Sequence, residues 1–141
     1  MVTKLILATI TGAVMSFLLG WALYGILLMD FFGANMIIYD GLIKEMPNLL
    51  LVFIAGLASW FMISFIFQRW AGFTTFVKGL YGGAFIGLFI GLSIDLSLYS
   101  MFNLYNAAYI AVDIVVNTAL TALIGGVVGA ILGYGNKPAA A

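Results

Sequence analysis

The sequence predicts an all-α integral membrane protein: four transmembrane helices in an up-down bundle of two hairpins, with both termini on the cytoplasmic side. Three observations predict it. Of 141 residues, 65% are apolar and 7% charged, and mean hydropathy is +1.23. Soluble domains are nearer half apolar and a quarter charged, and a soluble fold of this size leaves too much surface in water to hide such an excess. Next, four apolar stretches, about 5–29, 49–68, 79–102 and 107–134, are each long enough to cross a ~30 Å hydrocarbon core as a helix. Finally, most of the charges fall between those stretches. A β-barrel would need strands alternating polar and apolar residues, and the run from Leu49 to Ile54 does not alternate. The whole chain, 1–141, reads as a single transmembrane domain.

Composition also excludes chemistry. There is no Cys and no His, so disulfides, thiolate metal sites, iron–sulfur clusters and His-ligated haem are ruled out. The seven Met are scattered and no Met-rich run offers a metal site. A net charge of zero leaves no basic face for nucleic acid. No metal or cofactor is expected. No catalytic residue is expected either, because no Ser–His, Cys–His or metal-ligand constellation exists. Intramembrane aspartyl proteases carry Tyr-Asp and Gly-x-Gly-Asp patterns. Here the contexts are Ser93-Ile94-Asp95 and Ala111-Val112-Asp113, which do not match.

The first stretch follows Lys4 and runs to Met29. It exceeds the 7–15 residues of a signal-peptide core and no Ala-x-Ala site follows, so it is read as a span. Gly12, Ser16 and Gly20 lie four apart on it. The outer loop, 30–48, holds Phe31, Phe32, Met36, Ile37, Ile38 and Tyr39, too apolar for a free loop, and is expected to form a short interfacial segment. Pro47 suits the first turn of the second helix. That helix carries the row Gly56, Trp60, Ser64 and Gln68, with Gln68 at the cytoplasmic interface. The inner loop, 69–78, pairs Arg69 and Lys78 with Trp70, Phe73 and Phe76, an interfacial anchor.

The third helix carries Gly79, Gly83, Gly87 and Gly91, each four apart, and the spacing continues to Asp95 and Tyr99. The fourth carries Asp113, Asn117, Thr121, Gly125, Gly129 and Gly133 at the same spacing. Small residues every four positions let helix backbones approach closely, and in lipid such packing drives association. Close Gly-rich packing of the third and fourth helices is therefore expected, with Gly12, Ser16 and Gly20 serving the first. The tail from Asn136 is short, polar and expected to fray.

Orientation follows from the cations. Lys4, Arg69, Lys78 and Lys137 share one side, and Lys44 alone lies on the other. The positive-inside rule puts the four in the cytoplasm. Asp30, Asp40 and Glu45 all fall in the outer loop.

Two acids remain inside spans, Asp95 and Asp113. A mid-membrane carboxylate costs on the order of 2.5–3.5 kcal/mol on insertion scales. A turn centred near Asn103–Asn106 places the two at one depth, with Tyr99 and Tyr109 one turn outward and Asn117 one turn inward. Two adjacent acids cannot both be ionised and unpaired. They share hydrogen bonds with Asn117, Tyr99 or Tyr109, or bind a proton or cation, or pair with a Lys or Arg of another subunit.

Gly12–Gly20 overlays Gly83–Gly91 at an offset of 71, which would suggest two parallel hairpin repeats. Two segments, Gly20-Trp21-Ala22-Leu23-Tyr24-Gly25 and Val112-Asp113-Ile114-Val115-Val116-Asn117, resemble uncharacterised bacterial four-helix inner-membrane proteins grouped as domains of unknown function. The resemblance implies a bacterial inner (cytoplasmic) membrane and four spans, and carries no activity.

Two functions are weighed, and the first is the one expected. One is an accessory or structural subunit of a larger membrane complex, bound to lipid and other membrane subunits, which small size and sparse extramembrane sequence favour. The other is a homo-oligomeric channel or small proton- or cation-coupled transporter using Asp95 and Asp113.

Overall fold

The computed structural model describes residues 1–135; the expectations for Lys137 and the tail from Asn136 lie outside the described residues. Helix α1, Val2–Ala22, runs on through a π-helical turn, Leu23–Leu27. A short α2, Met29–Ala34, follows. Helix α3, Leu49–Ile66, ends in a second π-helical turn, Phe67–Ala71, and α4, Phe76–Met101, and α5, Ala107–Gly133, complete the chain. Four helical segments, Val2–Leu27, Leu49–Ala71, Phe76–Met101 and Ala107–Gly133, are long and apolar enough to cross a membrane. The chain is a multi-pass membrane protein.

Three of these helices start at a polar side chain that accepts an otherwise orphaned backbone N–H. Asn48 Oδ1 accepts from Leu51 at 3.1 Å, Thr75 Oγ1 from Lys78 at 3.3 Å, and Asn106 Oδ1 from Tyr109 at 2.9 Å. Pro47 therefore lies before the cap of α3 and not in its first turn, because Asn48 competes better for the capping position. Asn48→Ala is expected to lower the midpoint of thermal unfolding in detergent, at about 0.5–2 kcal/mol. An unchanged midpoint would mean that lipid-side packing alone holds that helix end.

The inner connection is shorter than the sequence suggests. Helix α4 already starts at Phe76, so Lys78 sits in its first turn, and Arg69 and Trp70 lie in the π-helical turn. Gly72 closes that turn at φ +60°, a left-handed backbone that glycine adopts without a Cβ penalty. The Phe73 amide then donates to the Phe67 carbonyl at 2.9 Å. At the same end of the molecule Gln68 Nε2 donates to the Met1 carbonyl at 3.0 Å.

Helices α4 and α5 make by far the most extensive contact. Helix α1 packs on both α3 and α5, and α3 and α4 approach each other far less. The overlay of the two halves therefore has no counterpart in the packing, since a true repeat would pair α3 with α4 as closely as α1 with α5. The core lies toward the end that holds Met1 and Gln68, where Ala8, Trp60, Phe67, Ile124, Val128 and Leu132 pack together.

The glycine rows explain the α4–α5 contact. A Cβ added to Gly79 would overlap the Gly125 carbonyl oxygen, one on Gly83 the Thr121 carbonyl oxygen, and one on Gly133 the Thr74 carbonyl oxygen. On Gly125 and Gly129 it would come within 2.6 Å of the Gly79 oxygen and 2.5 Å of the Thr75 oxygen. A Cβ on Gly87 would lie 2.7 Å from Thr121 Cβ, and Gly91 is looser, with an added Cβ 3.4 Å from Asn117 Nδ2. Backbone touches backbone because no side chain stands between. On α1, a Cβ added to Gly12 would come within 2.6 Å of the Trp60 ring. Ser16 turns its hydroxyl to the Ala13 carbonyl at 3.0 Å and faces Gly56. Gly20 differs from the packing role expected of it: nothing lies within 4 Å of an added Cβ. Its neighbouring space is a cavity.

Candidate functional site

Asp95 continues the buried face of α4. Gly79, Gly83, Gly87, Gly91 and Asp95 are all buried, with Asp95 at 8% exposure. Gly91 lies against Asn117 and Ile114 of α5. One turn further along the antiparallel pair, Asp95 neighbours Asp113. The Tyr24 hydroxyl lies near the Asp113 carboxyl group. Asp95 Oδ2 is buried without a hydrogen-bond partner among the described residues. Tyr109 lies close enough to feel both acids. Asn117, one turn below Asp113, donates from Nδ2 to the Gly87 carbonyl at 3.5 Å.

Tyr24 is the residue that the sequence reading of the cluster missed. It extends the row Gly12, Ser16, Gly20 by one more step of four, and that row faces the other helices. Tyr99 is the opposite case. It is 46% exposed and lines a separate outer hollow with Asn103, Tyr105 and Asn106. A row at every fourth residue drifts about 40° per step around a helix, and the fifth step from Gly79 turns Tyr99 away from α5.

Aromatic rings close the outer side of the acid pair. Phe32, buried on α2, stacks on Tyr24 at 5.1 Å between ring centroids and meets Tyr109 edge-on at 4.6 Å. Tyr109 stacks in turn on Tyr105 at 4.3 Å. The outer loop was expected to lie wholly in the headgroup region; Phe32 instead inserts between α1 and α5, while Ile37, Ile38 and Tyr39 remain exposed. A strap holds the loop in place. Ile37 N donates to the Leu104 carbonyl at 2.8 Å. Asn106 donates to Asn35 twice, backbone to backbone at 3.1 Å and side chain to side chain at 2.7 Å. Tyr39 donates to the Asn103 carbonyl at 3.3 Å.

Inward from Tyr24 and Asn117 lies a cavity of about 320 Å³ to which all four spans contribute, among them Gly20, Trp60, Gly87 and Thr121. The rest of its wall is largely apolar, with Ile63, Ile86, Ile90, Leu120 and Ile124. Thr121 has already spent its hydroxyl on the Asn117 carbonyl at 2.8 Å. Among the described residues no three His, Cys, Asp or Glu side chains converge. A pair of carboxyl groups and a phenol in a low dielectric can share one proton or hold one cation, and two bare adjacent anions there would repel strongly.

No family model matches the chain, and no curated protein or solved structure is similar to it. The case for a function therefore rests on the site.

Proposed function

We propose that the protein is a small transporter or homo-oligomeric channel of the bacterial cytoplasmic membrane that handles protons or cations at Asp95, Asp113 and Tyr24. The observation that carries this reading is the direction of the acids. Asp95 is buried in the chain's own interior, and Asp113, half-buried, lies beside it and near Tyr24. A carboxyl kept for pairing with another subunit would face outward. Intramembrane acids that face a bundle interior commonly mark ion or proton pathways.

The placement follows from the cations. Lys4, Arg69 and Lys78 belong to the Met1–Gln68 end, and the positive-inside rule makes that end cytoplasmic, with both termini inside. The acid pair then lies in the outer half of the bilayer. The resemblance of Gly20–Gly25 and Val112–Asn117 to bacterial inner-membrane proteins agrees with this placement.

The test is flux. Purified protein in liposomes of anionic and zwitterionic lipid should dissipate an imposed pH or sodium gradient, and Asp95→Asn should abolish the flux while the variant stays monodisperse. Gradients that decay no faster than in empty liposomes would sink the reading.

A second reading is an accessory subunit of a larger membrane complex. Its support is that in the most apolar window of each span only 17–28% of residues are buried by the chain itself. Tyr81, Phe85 and Phe89 also form an outward ladder on α4, with exposures of 71%, 65% and 55%. Gentle detergent extraction followed by mass analysis distinguishes the two: a larger partner in fixed ratio supports the subunit reading, and self-assembly alone supports the transporter.

A further inference from the structure

We infer that the site takes a lipophilic organic cation, which enters sideways from the bilayer between α1 and α3, past Gly20. This rests on the reading of the acid pair as a cation site and names the kind of cation.

The first observation is a second hollow. A groove of about 640 Å³ lies between the outer halves of α1 and α3, with Phe17, Trp21, Leu49 and Val52 among its walls. It shares Ser16, Gly20 and Tyr24 with the internal cavity. One strip of α1 thus borders both spaces, and its middle residue is a glycine with nothing within 4 Å of an added Cβ. Elsewhere on α1 the space beside a glycine is filled, as Trp60 fills it at Gly12. At Gly20 it is open, and the groove and the cavity adjoin along this strip.

The second observation is the mismatch between the cavity and a bare metal ion. A hard cation is bound by several oxygen atoms at about 2.3–2.6 Å. The cavity wall is largely apolar, with Trp60 and five isoleucine or leucine side chains, and its polar groups are hydroxyls and one amide, with no carboxylate among them. Its volume matches roughly ten waters at about 30 Å³ each, far more than an ion needs. An apolar body would fill it.

The third observation is charge. Beyond Tyr24 stand Asp113 and Asp95, the latter with a buried oxygen that lacks a partner among the described residues. The cations Lys4, Arg69 and Lys78 lie at the far end of the spans, and Lys44 in the outer loop. The cavity therefore has a largely apolar body, and the acid pair stands outside its wall, behind Tyr24 and Asn117. A cation with an apolar shell complements each of these features, and it can reach the opening through the bilayer.

The test uses tetraphenylphosphonium as probe and triphenylphosphine oxide as its neutral counterpart, on the full chain in detergent by equilibrium dialysis. Tetraphenylphosphonium is expected to bind saturably and the neutral compound at least tenfold more weakly. The Asp95→Asn/Asp113→Asn double variant is expected to lose at least tenfold in affinity. Gly20→Leu is expected to lose a similar factor with both acids intact. Its side chain enters open space, so the fold is retained even where the double variant is not. Equal affinity for both compounds, or an affinity unchanged by Gly20→Leu, overturns the inference. Asp-dependent proton or sodium flux without probe binding also overturns it and leaves the proposed function standing. Probe binding without any ion flux supports the inference and overturns the transport reading.

Discussion

Gly83→Val is expected to break the α4–α5 pair, whereas Gly20→Val should leave stability nearly unchanged. The two glycines have the same residue type, the same row spacing and similar membrane surroundings, and differ in what lies beside them. At Gly83 even a single Cβ would overlap the Thr121 carbonyl oxygen and come within 3.1 Å of the Ala122 Cα. Both are backbone atoms of a helix that cannot yield alone, so the two helices must separate. Overpacking a well-packed interior costs about 1–3 kcal/mol and more where backbone must move. Separation here would also loosen Gly79, Gly125 and Gly129, which rely on the same approach. At Gly20 an added Cβ has no atom within 4 Å, and such a change is expected to stay within about 0.5 kcal/mol. Unfolding of each variant in a mixed-micelle denaturant titration checks the pair. Equal midpoints for Gly83→Val and Gly20→Val would mean that the glycine row is compositional and carries no close contact.

The contrast between these two glycines marks how far the sequence can be read. Hydropathy places all four spans to within a few residues, because the length of an apolar stretch is a local property. Asn106 starts α5 where the polar cluster Asn103–Asn106 indicated a turn, and that turn fixes the register that brings Asp95 beside Asp113. The spacing of glycines predicts which face of α4 meets α5. What spacing cannot tell is which neighbour arrives. Trp60 fills the space at Gly12 and nothing fills it at Gly20, and this depends on the path of α3, not on α1. Tyr24 was missed for the same reason. The site draws on α1, α4 and α5, and no local pattern links residue 24 to residue 113. The available signal was the row Gly12, Ser16, Gly20 carried one step further. Tyr99 was included by carrying the α4 row a step too far, where the drift of the helix takes it off the contact.

Asp113→Leu is expected to destabilise the fold strongly and Asp113→Asn only slightly, although both should abolish ion handling. Asp113 is the member of the cluster that neighbours both others: the Tyr24 hydroxyl and the Asp95 carboxyl both lie near it. Asparagine keeps the shape, accepts from Tyr24 through its oxygen, and offers its amide hydrogens to Asp95. Exchanging one hydrogen bond for another between membrane helices is worth about 0.6 kcal/mol on average, so the loss should be of that order. Leucine fills similar volume but accepts nothing. It orphans the Tyr24 hydroxyl and the Asp95 carboxyl, each at about 1–3 kcal/mol, and Asp95 already holds one oxygen without a partner among the described residues. The charge argument and the packing argument then separate in a cycle. If the loss in Asp113→Leu comes from the orphans, Tyr24→Phe and Asp95→Leu should each recover part of it when added to that variant. Residues that share a hydrogen-bond network show such coupling at about 0.5–3 kcal/mol. If instead leucine simply packs badly against α4, the added changes will make matters worse, and the acid pair would not be the element that holds α1 to the α4–α5 hairpin.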